Sequence, residues 1–416
     1  MRGADPRSHA TRTFHVNLIP FSKQYLRLHE ALPFGLRNAD GRLLLAAGQR
    51  VDSSARLDEL LREPLFADEA ESSDWRRRLA ATVDAMIRRN ASLKVIAEAR
   101  PDNDDGHTPE AEHALGEQIT AVVMGLDAAL RDPLADPGAV DRLMQLRLRA
   151  HGLRQRRFDD VLYHGIYAAG QSTERYSSRH ALLCAVVSGE AAGLLGWSEP
   201  TTTALEQAAL TMNVAMRRLQ DLLAATETEI TPDMRRQIDG HAADGARLLA
   251  EAGVTDTLWL DIVRRHHDDS QRAWALAALD EAGRAARLLR RVDIFTAKLS
   301  RRAARTPMSP VQAAREACLG ADGRPDEIGG VLLKAMGMYP PGSFVELASG
   351  ERGIVAARGV RANQPLVAAL VSASGSVLGE PLLRDTADTR HAVRSAVPPQ
   401  SVRVVPPHDR VLALAA

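Results

Sequence analysis

Thr231-Pro232-Asp233-Met234-Arg235-Arg236-Gln237-Ile238-Asp239-Gly240-His241-Ala242-Ala243-Asp244-Gly245-Ala246-Arg247-Leu248 carries the signals of a helix at both the end and the face. Thr231 is a cap residue, and Pro232 stands at the first helical position, where a missing N–H costs nothing. Met234, Ile238, Gly245 and Leu248 then recur at helical spacing, and His241 keeps step with them. A polar ring on a face that seeks the core needs a partner.

The same situation recurs in the neighbouring segments. His180 is spaced with Leu183, Cys184, Val187, Ala191 and Leu194; His266 follows Trp259, Ile262 and Val263 with His267 beside it; Asp293 keeps step with Leu289, Val292 and Thr296. Taken singly, each is an ordinary core residue with a hydrogen-bond partner. As a set they place four imidazoles and a carboxylate on the apolar faces of separate helices, a known way to build a metal site in a bundle. That donor set suits Fe, Mn or Zn.

Outward from these segments the chain reads as four regions. Residues 151–338 run helix after helix, so the fold class is mainly α, a helical bundle. Residues 1–72 form a small mixed α/β module, in which Asp40-Gly41 between apolar runs signals a hairpin and Ser53 or Ser54 can cap the helix through Leu57, Leu60 and Leu61. Residues 73–150 are a helical connector, with Leu79, Val83, Met86 and Ile87 on one stripe and a Pro- and Gly-containing acidic loop at 100–106. Residues 339–416 are a β-rich tail that opens on the turn Tyr339-Pro340-Pro341-Gly342 and continues in runs at 343–347, 353–358 and 366–371.

Composition narrows the function classes. With 53 basic and 53 acidic residues the chain has no formal net charge. Bulk binding of nucleic acid or of an anionic membrane surface is excluded on that balance, since phosphate neutralisation supplies most of such affinity. Any phosphate must be met locally. Cys184 and Cys318 lie far apart with no Cys-x-x-Cys, so no disulfide framework or zinc ribbon is expected, and both should be buried and inert. The first twenty residues lack a signal-like apolar run and no window reaches the length of a membrane span, which points to the cytoplasm.

Arg179-His180, then Leu194-Leu195-Gly196-Trp197-Ser198 leading into Ala208-Ala209-Leu210, then Gly240-His241-Ala242-Ala243-Asp244-Gly245-Ala246, His266-His267 and Val292-Asp293-Ile294-Phe295 resemble, in order and spacing, the HD-GYP family. These are bacterial metal-dependent phosphodiesterases of the HD superfamily that open cyclic di-GMP. The resemblance spans about residues 160–338 and implies an HD-type bundle, divalent metal and cyclic di-GMP as ligand. It also implies that His180 and Asp293 are remnants of one metal site and that His241, His266 and His267 belong to a second.

The departures bear on activity. Where the family carries its His-Asp pair followed by Gly-Lys, this chain has Met212-Asn213-Val214-Ala215-Met216. The family's Asp bridges two ions, a role for an anionic hard oxygen; Asn213 is neutral and Met212 offers only a thioether. Met212 also shares a stripe with Leu205, Ala208, Ala209, Met216 and Leu219, as core packing would. After His267 the family's Gly-Tyr-Pro loop, which helps form the nucleotide site and contacts partner domains, is replaced by Asp268-Asp269-Ser270-Gln271-Arg272-Ala273-Trp274. Tyr176 stands where some members place an extra acidic ligand.

The expectation is a degenerate, catalytically inactive regulatory or scaffolding protein of cyclic-dinucleotide signalling that contacts other signalling proteins. The alternative is a metal-dependent phosphohydrolase with one ion of Fe, Mn or Zn on a reduced, His-rich site; a dead site would hold none. A third reading is a nucleotide sensor gripping phosphate through Arg264, Arg265 or Arg290. Convergence of the His241, His266 and His267 rings to within about 4–5 Å is what an ion bound at roughly 2 Å to each would require.

Overall fold

The computed structural model describes residues 18–26, 28, 32, 34–69, 72, 75, 76, 79, 115–271, 273–319 and 324–415. The expected loop at 100–106 and the stripe residues Val83, Met86 and Ile87 lie outside the described residues. The chain divides into two compact units, Met1–Pro109 and Glu110–Ala416.

In the first unit, β1 (Leu18–Phe21), β2 (Leu36–Arg37), β3 (Leu43–Leu45) and β4 (Leu65–Asp68) form one antiparallel sheet in the order β1-β4-β2-β3. The hairpin is the one the Asp40-Gly41 pair signals: Gly41 takes φ +82°, and the Asn38 side chain accepts from the backbone N–H groups of Asp40 and Arg42. Helix α1 (Ser54–Arg62) is capped by Ser53, whose hydroxyl accepts from Arg56 N–H. Phe34, Leu36, Leu60 and Trp75 are buried at its centre.

The second unit is mainly α, and its order is α2 (Leu115–Ala129), α3 (Ala139–Gln171), α4 (Tyr176–Leu194), α5 (Glu199–Thr211), α6 (Arg217–Ala225), α7 (Pro232–Glu251), α8 (Thr257–Arg265), α9 (Glu281–Leu299), α10 (Pro310–Cys318) and α11 (Glu327–Met336). Their starts are written in the sequence. Ser198, Thr231, Asp256, Asp280, Ser309 and Asp326 each accept a backbone N–H of the first turn, and α5, α7 and α10 carry Pro in that turn.

One expectation about helix faces is corrected. The spacing places His180 on a single apolar stripe, but α4 is buried around nearly its whole circumference, Ser177, Ser178, Ser188 and Gly189 included, while Leu194 at the end of that stripe is exposed. A helix enclosed on all sides has no stripe. Small residues let α3, α5 and α9 close around it.

The β-rich tail is a five-stranded antiparallel sheet in the order β8-β7-β6-β5-β9, with β5 Phe344–Leu347, β6 Arg352–Ala357, β7 Leu366–Val371, β8 Val377–Asp385 and β9 Val393–Ala396. One face packs Phe344, Ile354 and Leu370 with Tyr163 of α3 and with Val411 and Leu412. At the turn that opens the tail, a Cβ on Gly342 would stand 2.3 Å from the Tyr163 carbonyl oxygen, so only glycine permits this approach to α3. Among the described residues no helix is long and apolar enough to cross a membrane.

Candidate metal centre

His241 lies midway along α7, and His266 is the residue on which α8 ends. Because the chain leaves the helix at that point, the consecutive residue His267 turns toward the same space instead of a third of a turn away. The ring centroids lie 5.1 Å (His241–His266), 4.9 Å (His241–His267) and 4.2 Å (His266–His267) apart. One ligand atom from each falls within 4.8 Å of the others. His241 and His266 are buried, whereas His267 is exposed.

The backbone sets which nitrogen is free. His241 Nδ1–H donates to the Ile238 carbonyl at 2.5 Å, and His266 Nδ1–H donates to the Val263 carbonyl at 2.6 Å. In a neutral ring the other nitrogen then carries a lone pair. The two Nε2 atoms face each other at 3.2 Å. Burial, with His267 and His241 adding to it, pulls the His266 pKa down to about 3, so His266 does not supply the missing proton near neutrality. A proton or a metal ion held between the two nitrogens would satisfy both. Ligands at about 2.0–2.1 Å around a tetrahedral ion stand roughly 3.3 Å apart, close to the separation here. The residues fit a divalent ion, and the Nδ1 bonds are the outer contacts that orient metal-binding imidazoles.

His180 and Asp293 form a different arrangement. His180 Nε2–H donates to Asp293 Oδ1 at 2.7 Å, with the His180 side chain 1% and the Asp293 side chain 16% exposed. Burial opposes charge on His180, yet Cys184, Tyr176 and the bond to Asp293 outweigh it and hold the pKa well above 6.5. Burial likewise opposes charge on Asp293, and His180 overcomes it, with His267 and His266 contributing, to bring that carboxyl down to about 2. A metal binding here would have to displace that proton. His180, Cys184 and Asp293 offer one ligand atom each within 4.8 Å of one another, a second group able to hold an ion. Cys184 Sγ lies 3.6 Å from His180 Nε2 and 3.2 Å from Thr296 Oγ1, and Tyr176 stacks on the His180 ring at 5.6 Å. Arg302 in turn donates to the Tyr176 hydroxyl at 2.8 Å. Where a further acidic ligand was conceivable, an aromatic ring covers His180 instead.

Met212 is fully buried and Asn213 nearly so, just past the end of α5. The Met212 carbonyl lies 3.6 Å from where a Gly245 Cβ would be, one turn beyond His241 on α7. Neither side chain can supply an anionic oxygen at that position.

The three arginines are engaged by acids. Arg264 pairs with Asp261 on the exposed face of α8, Arg265 pairs with Asp280 at 2.8 Å, and Arg290 donates to Asp269 at 2.5 Å and to the His267 carbonyl at 2.9 Å. Arg290 and Arg287, which holds the carbonyls of Gln271 and Trp274, clamp the segment after His267.

The spacing marks Cys184 and Thr296 only as core neighbours of His180 and Asp293. Their i+4 and i+3 spacing was the available signal. Both cysteines are buried as expected, but Cys184 touches a candidate site residue.

The chain matches no family model and no curated protein. Among solved structures, Bd1817, an HDG"Y"P protein from Bdellovibrio bacteriovorus, is 13% identical, with 76% of this chain and 99% of that chain covered and a TM-score of 0.43. This is a distant likeness.

Proposed function

We propose that this chain is a degenerate HD-GYP-like protein that holds one divalent ion on His241, His266 and His267 and works as a cytoplasmic regulatory or scaffolding component of cyclic-dinucleotide signalling. The observation that carries the ion is the convergence of the three rings, with the Nε2 atoms of His241 and His266 3.2 Å apart and each Nδ1 on a backbone carbonyl at the far side of its ring. Two features support loss of the two-metal reaction. Met212-Asn213 provides no bridging carboxylate, and a metal at His180 and Asp293 would first have to break their ion pair. Two-ion hydrolysis needs one ion to activate water and both to stabilise developing charge.

Protein purified without chelator should carry about one equivalent of Fe, Mn or Zn, as expected of a single three-histidine donor set. That ion should be lost in His241→Ala and His266→Ala. Cyclic di-GMP should bind without turnover. Substoichiometric metal in the native protein would remove the ion from this reading, and hydrolysis at an enzymatic rate that disappears in His241→Ala would remove the regulatory role.

A second reading, a mononuclear phosphohydrolase, is favoured by the exposure of His267, which leaves one side of the site open to solvent. An ion with an open position supplies Lewis acidity and an activated water. Metal-dependent cleavage of bis-p-nitrophenyl phosphate, abolished by His267→Ala, would select it over the first.

A further inference from the structure

A cavity of 270 Å³ opens between α2, α3 and α4, walled by Ile119, Val123, Val161 and Leu183. One end is polar. Glu174, Arg175, Arg179 and His164 line it.

The charges at that end do not balance. Arg175 is paired with Glu174. Burial lowers the His164 pKa, His408 adds to this, and the ring contributes no charge. Arg179 is half-buried and makes no ion pair among the described residues. One terminal nitrogen donates to the Ser172 carbonyl at 2.8 Å, while its Nε–H is buried with no acceptor among the described residues. Asp221, the next carboxylate in electrostatic reach, is occupied by Ser177 N–H at 2.7 Å and by Arg217 at 3.5 Å. A guanidinium taken out of water without a counter-ion is costly, and its buried unsatisfied N–H adds to the cost.

The rim is also strained. Arg175 has φ +45°, the left-handed region, and is alone in this among the described non-glycine residues. Such strain concentrates at ligand sites.

We propose that this cavity binds a small monocarboxylate with a hydrocarbon body, its carboxylate on Arg179 and its chain between α2, α3 and α4. The uncompensated charge is a single positive one, so a monoanion balances it. A phosphate dianion would over-compensate it. At about 30 Å³ per water the space holds roughly nine waters, or an organic acid of about ten non-hydrogen atoms such as octanoate. Mostly apolar walls with a few convergent polar groups are what small-ligand sites have.

Isothermal titration of the full chain with octanoate tests this, with octanol as the uncharged control. The expected result is saturable octanoate binding that is weaker by about tenfold or more in Arg179→Gln, since a charge-assisted hydrogen bond is lost. Octanol should bind at least about tenfold more weakly than octanoate for the same reason. Thr120→Trp, a substitution at an exposed wall position that fills the mouth, should abolish binding while the far-UV circular dichroism stays native. If Arg179→Gln fails to fold, Thr120→Trp and octanol decide. Absence of saturable binding, equal binding of octanoate and octanol, or full binding by folded Thr120→Trp would overturn the proposal.

Discussion

His266 is the residue whose protonation most constrains the site. In the fold its pKa lies at about 3, against 6.5 for an unperturbed imidazole. The folded value is depressed, so the unfolded chain takes up the proton first as pH falls. Its contribution to stability is complete above pH 6.5 and is lost as pH falls from there toward 3. Urea unfolding of metal-free protein should therefore show stability declining from pH 6.5 to 5, and His266→Leu should flatten that decline. Asp293 acts in a lower window. Its carboxyl sits at about 2 instead of 3.8, so it contributes roughly 2 kcal/mol above pH 4 that is lost as pH falls toward 2. His180 runs the other way: its pKa is raised, so its contribution is present below pH 6.5 and is lost as pH rises through the folded value. Asp293→Asn leaves the buried His180 charge unpaired and should cost about 3 kcal/mol at pH 6, read as a lower urea midpoint with unchanged slope.

Within single elements, helix α11 offers a paired test. A Cβ on Gly329 would lie 1.8 Å from the Cys318 carbonyl oxygen, a backbone atom that cannot swing aside, while a Cβ on Gly330 meets nothing within 4 Å. Gly329→Ala should destabilise by about 2 kcal/mol or more through overpacking, and Gly330→Ala should stabilise by up to about 1 kcal/mol through helix propensity. Opposite shifts of the melting temperature at adjacent positions check the packing of α11 on α10. The kink in α3 at Arg157 (φ −146°, ψ 49°) is a third local feature. It has no Pro to announce it, and the sequence around it reads as an unbroken helix.

Across the second unit, a chain of buried and half-buried ion pairs joins the helices to the sheet. Glu206 of α5 accepts from Arg147 at 2.8 Å and Arg154 at 3.3 Å, both of α3, with side-chain exposures of 4%, 9% and 8%. Arg154 also reaches Glu190 of α4, and Arg358, just past β6, pairs with Asp159 of α3 and with Glu190. Glu206→Gln would leave two guanidinium groups without their shared counter-charge and should cost about 3–5 kcal/mol in urea unfolding. Metal acts at the same scale. An ion that binds only the folded chain stabilises it by about 3 kcal/mol at a hundredfold excess over Kd. EDTA should lower the melting temperature of the native protein and leave that of His241→Ala unchanged.

Local chemistry was legible because it is local. Cap residues, the Asp40-Gly41 hairpin, the succession of helices and the inward bias of His241 and His266 all follow from spacings of a few residues and from backbone preferences. The enclosure of α4 was not legible, since Ser, Gly and Ala carry no apolar signal and are buried only because three other helices close on them. Nor was the division of labour among the candidate ligands. Spacing places His180 and His266 alike on inward faces, yet one meets a carboxylate 113 positions away and pairs with it, and the other meets a second imidazole 25 positions away. The sequence by itself determined which side chains would face inward; which of them meet, and so which could hold an ion, was decided by long-range packing that no local periodicity encodes.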